Sequence, residues 1–217
     1  TLVKRVDLTR PLSVIVDLGN GAGEVGPTAL ARLGCSVETL TAQPDGAFPG
    51  RPSEPTPEHC ASLAALVKNG DAELGIAHDG DADRMRAVAA DGTYLSGDTL
   101  LAVLAGAATE PGDRVAIPVD TSLAVEDFLA DRGVTVERTP VGDVFVARAV
   151  ADGAAFGGEP SGSWIWGTGT LCPDGLLAAV KLAELAAEQP LIERVRAIPD
   201  YPIRRANMEV EDKTRIM

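Results

Sequence analysis

The sequence is poor in lysine, aromatics, histidine and cysteine. Lys4, Lys68, Lys181 and Lys213 are its only lysines, and Phe, Trp and Tyr together make up 4% of 217 residues. Nineteen Lys and Arg face 32 Asp and Glu, for a formal net charge of −13. A surface that negative repels nucleic-acid phosphates and anionic lipid, so neither nucleic acid nor membrane is an expected partner. An acidic, lysine-poor chain suits concentrated salt, although a GC-rich coding sequence gives the same bias. Cys35, Cys60 and Cys172 are far apart and odd in number. That pattern excludes a disulfide framework or a zinc knuckle and makes a reducing cytoplasmic setting the simplest one. The longest apolar run, 100–108, is about half of the ~20 residues a membrane span needs. Lys4, Arg5, Asp7 and Arg10 interrupt any apolar leader, and a chain starting at Thr1 is expected to continue upstream.

What is present is a globular balance, 45% hydrophobic and 24% charged. Short apolar runs alternate with helical patterns. Strands are expected at 13–18, 36–40, 74–77, 86–89, 114–119, 135–138, 154–156 and 163–166. Helices are expected at 27–33, 57–67 (Thr56 as cap), 98–108, 122–131, 143–151 and 173–188. This rhythm predicts an α/β fold: two consecutive three-layer α/β/α domains with mostly parallel mixed sheets. The expected division is 1–96, 97–190, and a proline-punctuated connector at 191–217 that begins a further domain, with a strand starting near Asn207.

Two motifs carry chemistry. Asp79-Gly80-Asp81-Ala82-Asp83-Arg84 follows a strand end, where α/β sheets bind ligands. Three carboxylates this close repel one another unless a cation neutralises them, and hard oxygen ligands favour Mg²⁺. The loop is not an EF-hand, because Arg84 and Ala90 occupy the positions that need Gly and Glu. Arg84 suits a phosphoryl group meeting metal and guanidinium together. In the second motif, Gly157-Gly158-Glu159-Pro160-Ser161-Gly162, Glu159 and Ser161 suit adjacent sugar hydroxyls. Both motifs also have bland readings, a solvated acidic turn and an ordinary glycine turn.

Other features weigh against function. Gly21, Gly23 and Gly26 fit G-x-G-x-x-G, but Pro27 and a mid-strand Glu38 suit a dinucleotide site poorly. His59 and Cys60 point to different sides of a helix, which is wrong for a catalytic pair. His78 borders the acidic loop, in packing or in support of it. Trp164 and Trp166 share one strand face, which favours packing over sugar stacking.

DGDADR followed by GGEPSG, with VDLGNGAG, PDGAFPGRPSEPTPE, TPVGDVFV, CPDGLLAA and IPDYPIRR around them, resembles the α-D-phosphohexomutases over nearly the whole chain. That family includes phosphoglucomutase, phosphomannomutase and phosphoglucosamine mutase. The resemblance is to its second and third domains. It implies that Asp79, Asp81 and Asp83 hold Mg²⁺, that Arg84 acts on the transferring phosphoryl group, and that Glu159 and Ser161 bind the sugar. The implied substrate is a hexose or hexosamine phosphate. The phosphoserine loop and the last domain's phosphate-binding loop are not found here, so partners would be the missing N-terminal and C-terminal domains of the same protein. Pro140 stands where many members carry Lys, and no role of that lysine carries over. Two other classes stay open: a metal-dependent nucleotide-sugar enzyme using the Asp-x-Asp pair, and a non-catalytic sugar-phosphate-binding module.

Overall fold

Strand β1 (Ser13–Asp17) is buried at four of five positions and β3 (Leu74–His78) at all five, as strands covered on both faces must be. The computed structural model describes residues 2–204. Its first sheet also contains β2 (Ser36–Leu40) and β4 (Met85–Ala89), in the order β2-β1-β3-β4. β1 pairs in parallel with β2 and β3, and β4 closes the edge antiparallel to β3. The second sheet repeats this plan with β5 (Arg114–Pro118), β6 (Thr135–Thr139), β7 (Phe156–Gly158) and β8 (Trp164–Trp166), ordered β6-β5-β7-β8. Its β8 is the antiparallel edge strand. The expected architecture of two mixed-sheet α/β/α domains is what the chain adopts.

Helices α1 (Val25–Arg32) and α2 (Ala61–Asn69) belong to the first half. The second half carries α3 (Gly97–Ala108), α4 (Leu123–Ala130), α5 (Asp143–Ala151), α6 (Gly175–Glu188) and α7 (Leu191–Val195). α2 covers one face of the first sheet through Leu63 and Val67, against Ile15, Ala77 and Val88. α5 does the same for the second sheet with Val146, Ala149 and Val150 against Ala116 and Ile165. Between the sheets, α6 packs on β3, β4 and α1, and also on α3. One core cluster therefore runs through both sheets, from Val14 and Ile76 through Leu101 and Leu182 to Ile117 and Phe156. Each fully buried leucine there contributes roughly 1.5–3 kcal/mol.

Local signals explain the helix ends. The side chains of Ser96, Ser122 and Asp174 accept N–H bonds in the first turns of α3, α4 and α6. Thr56 does start a turn, since its Oγ1 accepts from the His59 N–H at 3.3 Å, but regular helix begins only at Ala61. α7 follows Pro190 where only a connector was expected. The strand expected near Asn207 lies outside the described residues.

Candidate functional site

The acidic motif leaves β3 at its carboxyl end and turns back into β4. It is curled rather than extended: Ala82 adopts φ 62°, and ligand oxygens of Asp79, Asp81 and Asp83 lie within 4.8 Å of one another. Asp79 is buried, Asp83 half-buried and Asp81 exposed. The Arg84 N–H donates to Asp79 Oδ1 at 3.1 Å, and Arg84 Nε donates to Asp79 Oδ2 at 2.7 Å. Arg84 Nη1 pairs with Glu54, and Asp83 Oδ1 is 3.7 Å from Arg84 Nε. Three carboxylates thus surround one guanidinium. Partial burial and the charges of Asp79 and Asp81 push Asp83 up to about 6. A cation would reverse that push, so the donor set fits a hard divalent ion. Each Asp79 oxygen also keeps a lone pair free beside its bond to Arg84.

His78 is fully buried and holds the loop's two ends together, with Nδ1 3.1 Å from the Arg84 carbonyl. That carbonyl accepts only, so Nδ1 carries the proton and Nε2 is a bare acceptor, enclosed without a partner. Burial lowers the His78 pKa, so the ring stays neutral.

The glycine motif turns between β7 and β8. Glu159 is buried, and its Oε1 accepts the Gly142 N–H at 2.8 Å, at the start of α5. Ser161 Oγ donates to Glu159 Oε2 at 3.2 Å. A carboxylate at a helix N-terminus is favourably placed for its charge. The two motifs meet. Arg84 and Ser163 form an antiparallel bridge, the Met85 N–H donates to the Gly162 carbonyl at 3.1 Å, and Trp164 Nε1 donates to the Met85 carbonyl at 3.2 Å. All six predicted site residues, Asp79, Asp81, Asp83, Arg84, Glu159 and Ser161, therefore lie on two turns stitched side by side.

Residues 2–92 match the family model "Phosphoglucomutase/phosphomannomutase, alpha/beta/alpha domain II", and residues 96–201 match that for domain III. The chain belongs to the phosphoglucomutase/phosphomannomutase family. It is 45% identical over 217 residues to a probable phosphoglucosamine mutase of Methanothermobacter thermautotrophicus, covering 99% of this chain and 47% of that protein. A protein of the same description from Methanosarcina acetivorans is 47% identical over 199 residues, with coverage of 89% and 45%. The crystal structure of a phosphoglucomutase/phosphomannomutase family protein from Burkholderia thailandensis matches with a TM-score of 0.85 and 29% identity, over 92% of this chain and 45% of that one. The chain spans about half the length of the curated relatives it matches.

In this phosphoglucomutase/phosphomannomutase-family chain, the other early motifs prove to be supports. The Gly21–Gly26 turn is no dinucleotide cradle. A Cβ on Gly21 would stand 2.4 Å from the Gly80 carbonyl oxygen, so the glycine lets this turn press on the acidic loop. The Ala22 N–H donates to that same oxygen at 3.0 Å. Sequence reading missed Asp17, Arg51 and Glu54. Arg51 Nε donates to Asp17 Oδ2 at 2.7 Å and its Nη2 donates to the His78 carbonyl at 2.6 Å, both beneath the acidic loop. One signal was available, since Arg51 is the only base in the proline- and glycine-rich stretch 43–57. Trp164 and Trp166 are core residues, the latter edge-on to Phe156 with centroids 5.2 Å apart.

Proposed function

We propose that this chain is the metal- and sugar-binding middle of a Mg²⁺-dependent phosphohexomutase that interconverts the 1-phosphate and 6-phosphate of a hexosamine. The observation that carries this is the Arg84–Ser163 bridge, which puts the acidic loop and the sugar turn in one place. The names of the relatives favour a hexosamine over a plain hexose. The working division is 1–96 for the metal-loop domain, 97–190 for the sugar-loop domain and 191–217 for the connector. The three unpaired cysteines support a cytoplasmic setting. Among the described residues, no helix is long and apolar enough to cross a membrane.

Asp79, Asp81 and Asp83 would hold the ion, which would supply charge stabilisation to the oxygens of the transferring phosphoryl group. Arg84, held by Asp79 and Glu54, presents its guanidinium to that group. The phosphoryl carrier is a phosphoserine in another domain of the protein. It gives its phosphoryl group to one sugar hydroxyl, forming a bisphosphate, and takes back the phosphoryl group from the sugar's other end. The sugar must turn over between the two transfers. Glu159 and Ser161 serve both orientations by holding hydroxyls in the middle of the ring. The Gly142 N–H and the Ser161 hydroxyl fix the Glu159 carboxylate and leave each oxygen a free lone pair.

Titration with glucosamine 6-phosphate tests this reading. Wild-type chain binds it, and Glu159→Gln weakens binding roughly 10- to 100-fold, the worth of a hydrogen bond to a charged group. The chain alone does not turn over glucosamine 1-phosphate. Detectable conversion would refute the separate phosphoserine domain, and tighter binding of a nucleotide sugar would move the site to the nucleotide-sugar enzymes.

A further inference from the structure

Arg86 lies on β4, two residues beyond Arg84, and both pass close to Gly162. Arg84 has its carboxylates, Asp79 and Glu54. Arg86 has none: among the described residues no carboxylate comes within 4.0 Å of it, and its Nε is enclosed without a partner. A partly buried guanidinium with no counter-charge is costly, and in a chain of net charge −13 it is an exception.

Its surroundings are built around it. A Cβ on Gly97 would stand 2.4 Å from Arg86 Nη1 and 1.9 Å from the Pro160 carbonyl oxygen, so only glycine at the start of α3 leaves that space. Nε lies under Gly162, in the turn that carries Glu159 and Ser161. Nε is enclosed, and no hydrogen bond to the terminal nitrogens is found among the described residues. Through the Arg84–Ser163 bridge, the same strand also abuts the acidic loop.

We propose that Arg86 is an anion-contacting residue of this site, its terminal nitrogens taking a phosphate group beside the Glu159–Gly162 turn. A planar guanidinium fork suits a phosphate's paired oxygens. This rests on the sugar-phosphate reading for the identity of the ligand, while the anion contact itself rests on the unmatched charge. Arg84 faces the transferring phosphoryl group from its place between Asp79 and Glu54, and Arg86, with no carboxylate in reach, adds a second guanidinium for an incoming anion.

Calorimetric titrations of the chain with inorganic phosphate, glucosamine 6-phosphate and unphosphorylated glucosamine test the proposal, in wild type, Arg86→Gln, Arg86→Lys and Arg32→Gln. Arg32 is exposed at the far end of α1, and its variant controls for the loss of one positive charge. Arg86→Gln weakens inorganic phosphate and glucosamine 6-phosphate at least tenfold, Arg86→Lys recovers part of that, and Arg32→Gln changes neither. Mg²⁺ affinity stays at the wild-type value and the melting temperature holds or rises in Arg86→Gln, which a merely structural role would not allow. Equal phosphate affinity in wild type and Arg86→Gln overturns the proposal, as does a wild type that binds no phosphate at millimolar concentration. Phosphate binding that depends on Arg86 without any glucosamine 6-phosphate preference upholds the anion contact and counts against the sugar-phosphate reading instead.

Discussion

Asp81→Asn lowers Mg²⁺ affinity at least tenfold without unfolding the chain. Asp81 is the exposed member of the triad, so its removal disturbs no packing. Two unit charges about 4 Å apart near a protein surface interact by about 4 kcal/mol at an effective dielectric of about 20, so losing one carboxylate costs the ion a few kcal/mol. The ion-free chain moves the other way. With one like charge gone, the repulsion on Asp79 and Asp83 eases, and the melting temperature without Mg²⁺ holds or rises. Titration calorimetry beside thermal unfolding with and without Mg²⁺ reads both. Protonation supplies a further check. Asp83 takes up a proton near pH 6, so the wild-type affinity for Mg²⁺ weakens as pH falls through that value. Unchanged affinity in Asp81→Asn would remove the acidic loop from the metal site.

Arg51→Met is the most destabilising single change expected. The Arg51 and Asp17 side chains are 5% and 6% exposed, and the guanidinium also donates to the carbonyls of His78, Pro52 and Ser53. The methionine fills the space but leaves Asp17 buried without its counter-charge and three carbonyls short of a donor. Breaking a buried pair from one side costs about 3–5 kcal/mol. At roughly 2–4 °C per kcal/mol for a chain of this size, the melting temperature falls by about 10 °C. Adding Asp17→Asn recovers part of the loss, because the stranded charge is gone. A fall of under about 2 °C would mean that the pair is not what holds the loops under the site. Mg²⁺ affinity drops as well, since Arg51 grips the carbonyl of His78, and His78 closes the acidic loop.

The central strands were legible because they are short apolar runs bounded by turn residues, β3 most clearly, whereas β7 forms at Phe156–Gly158, two residues beyond the expected 154–156. The three aspartates were legible as a candidate cation site because carboxylates this close repel one another. The curl that gathers them was not, since it depends on Ala82 in a left-handed conformation that alanine rarely adopts. The placement of α6 was hidden for another reason. Local pattern says that 175–188 is a helix but not which sheet it covers, and it lies against strands about a hundred residues earlier in the chain. Asp17 and Arg51 are 34 positions apart, and nothing in either neighbourhood names the other. Glu159 was singled out for its carboxylate, while its bond to the Gly142 N–H needed the fold to bring α5 alongside.

The most direct test of a shared site is to replace Mg²⁺ with Mn²⁺ and record which amide signals of the chain broaden. Paramagnetic broadening reports distance from the ion. If the acidic loop holds the metal beside the sugar turn, the amides of 80–84 and of 159–163 broaden together at low Mn²⁺, and Asp81→Asn abolishes both effects. Broadening confined to one of the two turns, or scattered over the acidic surface, would contradict the account.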